Sequence, residues 1–433
     1  MDARVGILGG GIAGVSLQRF LSCSSEVLEK EQRLGGLCRS FEKEGFRYDI
    51  GGHILFSKHH EINQLVAQVL DGNIRHCRRN NRILFKGKYV KYPFENGLGI
   101  LEREDIFDCL IKYLNNPHRH PATFREWIYY TFGDGIANRY LVPYNEKIWK
   151  TPLDEMALGW VERIPRPPLE DVVKSALGFE TEGYQHQLNF NYPLNGGFES
   201  LVHSLRKTES QSVTGFEVRR VWRGSTGWYV SNEVEVREYD RLVVTLPVTE
   251  AVKVFEGVPE SVREAAARLR RNRVRVVMVG VNNTSLTEIA MSALYIPDPT
   301  VAAHRVCFMG FFSPNNVPLG RSSLIAEITT NPSTDLHTTS DGVLVERVVE
   351  DLHRLALLDR KDVVVTDIKN FDYGYPVYDS SHEELTGQLR SYFSSLGVDL
   401  LGRFGEFLYI NSDEVIRRAM ALAERLNKDV GGL

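Results

Sequence analysis

The chain opens with a short apolar run, VGILG at residues 5–9, whose length and β-compatible side chains predict a buried strand. GGGIAG follows, and VSLQRFL, residues 15–21, then places apolar positions at helical spacing. A second strand, EVLEK, ends near Glu29 and Lys30, so the first thirty residues predict a βαβ unit of the dinucleotide-binding kind. From about Glu61 to Arg163 the period changes. HEINQLVAQVLD, REDIFDCLIKYLNN and TFREWIYYTFG carry apolar residues at three- and four-residue intervals and predict helices. After about Phe190, EVRRVWRG, GWYVSN, EVEVREY and DRLVVTLP alternate or run apolar between turn residues and predict strands, as do VRVVMVGVN, SALYIP, HRVCFMGFF and SLIAEITT. SDEVIRRAMALAERL predicts a last helix that stops before KDVGGL. Neither an internal repeat nor a low-complexity tract interrupts this order.

Length and charge narrow the class. At 433 residues, 42% hydrophobic and 25% charged, the chain holds enough apolar side chain for a large core and is not a disordered polymer. A net charge of −4 gives no overall drive toward nucleic acid or anionic membrane. No apolar run approaches the roughly 18 residues of a membrane span. The apolar stretch Val5–Val15 is broken by glycines and has no basic flank, so it reads as strand and turn, not a secretion signal. Cys23, Cys38, Cys77, Cys109 and Cys307 are scattered without a CxxC pair, which argues against a disulfide framework or a zinc site and points to a reducing cytoplasm. The arginine-rich stretch Arg263–Arg275 reads as a solvated helix leading into a strand. His59, His60, His118 and His120 lack the spacing of a zinc-protease helix, so no metal is expected, and no GxSxG elbow marks a hydrolase.

Candidate chemistry begins at Gly9, Gly11 and Gly14, a GxGxxG directly after a strand and at the start of a helix. Gly9 suits the tight turn, Gly11 the approach of a pyrophosphate to backbone, and Gly14 the packing of helix on strand. The helix N-terminus adds N–H groups and a positive dipole end. Glu29, twenty residues after Gly9, stands where a carboxylate can accept from an adenosine ribose.

RLGGLCRS (33–40), YDIGGHILFS (48–57) and DRLVVTLP (240–247) resemble the flavin-contact segments of the amine-oxidase and nucleotide-sugar-mutase superfamily. The resemblance implies FAD, with Gly35 and Gly36 approached by it, Arg39 on its phosphates, His53 against the isoalloxazine and the backbone of Val218 at the adenine. YVKYPFEN, YNEKIW, WVERIP, LYIP followed by Arg305, YGYP and GRFGEFLYINSDEVI together resemble the UDP-galactopyranose mutase family, its eukaryotic-type branch above all, from residue 1 to about 420. That implies an α/β fold with a Rossmann-like FAD-binding domain (1–60, 195–250 and 396–433), a mainly helical substrate-binding insert (61–185) and an antiparallel β-sheet substrate domain (186–194 and 251–395).

By the same resemblance Arg163 and Arg305 grip the substrate diphosphate, a task that suits guanidinium forks, and Tyr295, Tyr375 and Tyr409 hydrogen-bond the same phosphates. Arg403 and Asp413 lie near the flavin, Asn145 and Trp149 line the nucleotide end, and Tyr92 and Phe94 form an aromatic wall beside the base. The implied activity interconverts pyranose and furanose forms of a nucleotide-diphosphate sugar, UDP-galactose by default. Reduced FAD attacks the anomeric carbon, with His53, Arg163, Arg305 and Arg403 as the catalytic set. A reductant such as NAD(P)H is then a partner; nucleic acid and membrane are not, and an oligomer is left open. Two departures bear on base and sugar: Glu95 stands where the eukaryotic-type mutases usually carry Gln, and Gln187 roughly where an Asn is expected. An amine-oxidase-type oxidase or desaturase shares every FAD motif and is the alternative, with a non-catalytic binder third.

Overall fold

A computed structural model of the chain describes residues 4–182, 188–207 and 211–431; Gln187 lies outside them. The strand Val5–Leu8 pairs in parallel with Ser25–Glu29 on one side and Arg241–Val244 on the other. Gln211–Thr214 and Asp399–Leu400 complete the edges, also in parallel. The spatial order, counted in chain order, is 3-2-1-4-5, that of a dinucleotide-binding sheet whose crevice opens at the carboxyl ends beside the first strand. The helix Ile12–Phe20 covers this sheet and packs on the last helix, Ser412–Gly431, which runs past the stop expected before Lys428.

The second sheet has seven strands in the order Val363–Pro376, Arg271–Val281, Ser322–Thr330, Arg305–Phe308, Ala293–Tyr295, Asn81–Phe85 and Lys88–Lys91. It is antiparallel except where Ala293–Tyr295 meets Asn81–Phe85 in parallel. Its long second strand, Arg271–Val281, alternates between two cores. Val277, Val279 and Val281 face Leu344, Val348 and Leu352 of the covering helix Asp341–Arg354, while Val274, Val276 and Met278 face the main core. Burying each such side chain contributes about 1.5–3 kcal/mol, so the strand is pinned from both faces and its register with its neighbours is fixed.

The stretch 61–163 does hold the helices His60–Leu70, Arg103–Leu114 and Phe124–Ile136. It also lends the sheet Asn81–Phe85 and Lys88–Lys91, and a third strand, Arg75–Arg78, pairs with Asn189–Tyr192. Among the described residues no helix is long and apolar enough to cross a membrane. The insert and the large sheet thus share strands, and the second of the two cavities described below opens between them.

Candidate active site

The first cavity, about 950 Å3, runs along the carboxyl ends of the parallel strands, lined by Gly9, Gly11, Glu29, Gly35, Gly36, Arg39 and Val218. That is ample for an extended cofactor. Close packing explains the glycines. A Cβ on Gly14 would stand 2.2 Å from the Gly9 carbonyl oxygen, and one on Gly36 would stand 3.0 Å from Gly11 Cα. Gly14 itself lines neither cavity; it lets the helix seat on the turn. That helix starts at Ile12 with no side-chain cap, so its first N–H groups are left for a ligand. Glu29 ends its strand with its carboxylate fixed by two backbone donors, Gly10 N–H at 2.7 Å and Glu31 N–H at 2.9 Å. Arg39 folds back onto the Gly36 carbonyl at 3.0 Å and Glu31 at 3.2 Å.

The second cavity, about 330 Å3, opens between the insert and the face of the seven-stranded sheet. It shares Leu37, His53, Phe371, Arg403 and Ser412 with the first, so the two meet at those side chains. Strand register sets one wall. Tyr295 pairs with Arg305, and Arg305 with Glu327, across three adjacent strands. Arg305 therefore lies directly against Glu327, its Nε donating at 2.8 Å and its Nη2 at 2.6 Å. Glu327, 1% exposed, also accepts from Gly52 N–H at 3.0 Å and so ties the Gly51–His53 turn to the arginine. Burial alone would raise this carboxyl, but the Arg305 charge and its hydrogen bonds outweigh it and hold it at about 2.

Arg163, at the end of the short turn Val161–Arg163, donates to the Tyr409 carbonyl and to Asn411 Oδ1, with its guanidinium 3.9 Å from the Tyr409 ring centroid. Arg403 donates to the Ile410 carbonyl through Nε at 3.0 Å and Nη2 at 2.8 Å. Neither has a carboxylate among the described ion pairs, and burial together with the charge of Arg163 lowers the Arg403 pKa against the pull of Tyr409. Arg163 and Arg403 thus bring to the cleft positive charge that no described ion pair offsets, while the charge of Arg305 is matched by Glu327.

Aromatic rings close the rest. Tyr92 stacks on Tyr295 at 4.9 Å; Tyr375, Tyr409 and Trp149 meet edge-on, Tyr375 to Tyr409 at 5.6 Å. The Trp149 indole donates to Asn145 Oδ1 at 3.2 Å, and Asn145 Nδ2 donates to the Leu141 carbonyl at 2.8 Å, so Asn145 braces the tryptophan as well as lining the cleft. Phe94 lines neither cavity. It is fully buried behind the wall, between Phe85 and Tyr140. Asp413 also lines neither; it stands in the first turn of the last helix, whose Ser412 and Val415 reach the crevice. The other expected residues, His53, Tyr92, Asn145, Trp149, Arg163, Tyr295, Arg305, Tyr375, Arg403 and Tyr409, surround one cavity.

The buried polar atoms on this cavity's wall that have no partner among the described residues include His53 Nδ1, Trp160 Nε1 and Glu95 Oε2. Unpaired buried polar atoms cost about 1–3 kcal/mol each, so their concentration here marks a place for a ligand. His53 stacks on Phe198 at 5.1 Å, and burial, with Arg403 adding to it, lowers its pKa to about 4. It is neutral at pH 7. Glu327 and Trp160 escaped the sequence reading. A lone glutamate in the apolar run SLIAEITT, within a strand buried at every position, was the available signal.

The family described as flavin containing amine oxidoreductase matches residues 12–385, and the chain belongs to it. The cofactor is FAD, and the crevice, the glycines that shape it and the orphaned His53 nitrogen at the junction fit that group. Among solved structures, a reduced UDP-galactopyranose mutase superposes with a TM-score of 0.89 at 24% identity, over 98% of this chain and 95% of that one. Cyclohexylamine oxidase from Brevibacterium oxydans superposes at 0.70 with 14% identity, over the whole of both chains. At such identities the likeness is one of fold. An all-trans-retinol 13,14-reductase of Danio rerio is 30% identical over 74 residues, which is 16% of this chain and 12% of that protein.

Proposed function

We propose that this flavoprotein is a mutase that interconverts the pyranose and furanose forms of a nucleotide-diphosphate sugar, UDP-galactose being the default. The observation that carries the reading is the convergence of Arg163, Arg305, Tyr295, Tyr375 and Tyr409, from distant stretches of chain, on a cavity that adjoins the FAD crevice at His53 and Arg403. The fold shared with a UDP-galactopyranose mutase supports it.

Reduced FAD, when bound, would supply the nucleophile for the anomeric carbon. The chain's own residues then have electrostatic and steric work. As the glycosidic bond breaks, negative charge grows on the departing diphosphate, and Arg163, held by neutral acceptors, keeps its full positive charge for it. Arg305, aligned by Glu327, contributes direction more than net charge. The phenols of Tyr295, Tyr375 and Tyr409 are donors for phosphate oxygens. Trp149, buried and braced by Asn145, backs the tyrosines and keeps water from the opened sugar. A neutral His53 at the junction adds no further positive charge to those of Arg403 and Arg163. Glu29, Arg39 and the glycines hold the cofactor, with NAD(P)H as the reductant to be tried first.

The test is direct. Dithionite-reduced protein, kept anaerobic, is offered a panel of nucleotide sugars, and a ring isomer is sought by chromatography. Arg163→Ala and Arg305→Ala should keep FAD while weakening nucleotide binding roughly 10- to 100-fold, the size of a lost charge-assisted bond. Oxygen-dependent turnover of an amine, with no isomer from any sugar, would instead make the protein an oxidase.

A further inference from the structure

Eight carboxylates in the described chain are buried, and seven accept hydrogen bonds from other residues. Glu26 takes Arg4 and Tyr239; Glu29 takes two backbone N–H groups; Asp49 takes Ser40, Tyr192 and the Phe198 N–H. Asp105 takes Lys86 and Arg139, Glu199 takes Arg33 and the Ser40 N–H, Glu327 takes Arg305, and Asp351 takes the Ala302 N–H and Arg347. Glu95 is the exception. It is 2% exposed, only its own backbone N–H donates to it, and among the described residues its Oε2 has no partner and no arginine or lysine offsets its charge. It nevertheless lines the cleft, on the turn Phe94–Asn96, at an end formed with Tyr92 and Tyr140 that shares no residue with the flavin junction.

A buried carboxylate with one oxygen left unpaired is expensive unless something supplies a donor. Burial lifts this carboxyl to about 7 against the pull of its own backbone N–H, and Tyr113 and Tyr140, the ionisable side chains that feel its charge, are themselves kept neutral by burial. Its partner is to be sought in the ligand.

We infer that Glu95 reads the nucleobase of the substrate, and that the base it selects presents two adjacent N–H donors, as guanine does with N1–H and its exocyclic amine. The inference rests on the nucleotide-sugar reading above and deepens it. Two carboxylate oxygens match two parallel donors in a bidentate, charge-assisted pair. Uracil offers a single N–H flanked by two carbonyl oxygens, one of which would face the second carboxylate oxygen. A glutamine at this position, with one donor and one acceptor, suits that imide edge. The stacked Tyr92 and Tyr295 rings give the same end of the cleft a flat aromatic side for a planar base.

The experiment titrates the FAD-loaded protein with GDP and UDP by calorimetry, then repeats both with Glu95→Gln and Arg163→Ala. Wild-type protein should bind GDP roughly 10-fold or more tightly than UDP, the worth of one good hydrogen bond to a charged group. Glu95→Gln should lose GDP affinity, gain UDP affinity and reverse the order. A wild-type preference for UDP, which needs no variant to fold, overturns the assignment. So does a GDP-to-UDP ratio indifferent to Glu95→Gln while both bind in an Arg163-dependent way, an outcome that leaves the nucleotide-sugar reading standing. If neither nucleotide binds, that reading and this one fall together.

Discussion

Along the crevice the wall is largely main chain, made by Gly9, Gly11, Gly35 and Gly36 and by the uncapped start of the helix Ile12–Phe20. In the cleft beside it the wall is side chains, arginines and rings delivered by the sheet, the insert and the loop before the last helix. The difference decides what each can tolerate. A wall of backbone has no slack, because the atoms that would have to yield are those of the fold. A wall of side chains can lose one member and keep its shape, but it depends on buried charge being balanced from one strand to the next, as Glu327 balances Arg305.

The largest effect should therefore come from the smallest addition. Gly14→Val would put a branched side chain where even Cβ stands 2.2 Å from the Gly9 carbonyl oxygen, which is backbone and cannot swing aside. The protein should purify without yellow colour, read as the ratio of flavin to protein absorbance, or not fold. Gly342→Ala is the control: it lies in the helix Asp341–Arg354 with nothing within 4 Å of its Cβ, and should stabilise by up to about 1 kcal/mol through helix propensity. A fully flavinated Gly14→Val would break the contrast between the two walls.

The same contrast explains what the chain declares about itself. The crevice is legible because its parts are near neighbours: GxGxxG, Glu29 and RLGGLCRS fall within one continuous stretch, each at a turn whose geometry a residue type enforces. The cleft is assembled from positions as far apart as Tyr92 and Tyr409, and no local periodicity brings them together. Their grouping came from resemblance, which named Arg305 without Glu327, since a cross-strand pair depends on register and not on spacing. The strand Val363–Pro376, which carries Tyr375, escaped because its exposure follows no clean alternation. Asn81–Phe85 and Lys88–Lys91 were hidden within a stretch whose helices set its apparent period. The Glu95 departure was visible in the sequence; that its carboxylate is buried with one oxygen unpaired was not.

The next effect in size lies in the cleft. Glu327→Leu would leave the Arg305 charge buried with no counter-charge, at a cost of about 3–5 kcal/mol. Urea unfolding of the FAD-loaded protein should show the loss. Adding Arg305→Met should recover much of it, because the double variant buries no unpaired charge. Equal losses in the single and double variants would mean that the pair is not the unit the register implies.

The smallest effect is a pH dependence whose sign separates two buried carboxylates of the same cleft. Glu327 has its pKa held at about 2, below the ordinary 4.5, so its pairing stabilises fully above about 4.5 and is lost as pH falls toward 2. Glu95 has its pKa lifted from 4.5 to about 7, so between those values the folded chain binds more protons than the unfolded one, and stability declines as pH rises. Replacing Glu95 with glutamine removes that decline. With FAD bound and no nucleotide present, the difference in Tm between Glu95→Gln and wild type should be small near pH 4.5, grow in favour of the variant up to about pH 7, and level off above it. Saturating GDP should shrink that difference by supplying wild-type Glu95 with donors. A difference that stays flat from pH 4.5 to 8 would mean that Glu95 finds water or a donor in solution, and the side-chain wall would then hold no charge in waiting.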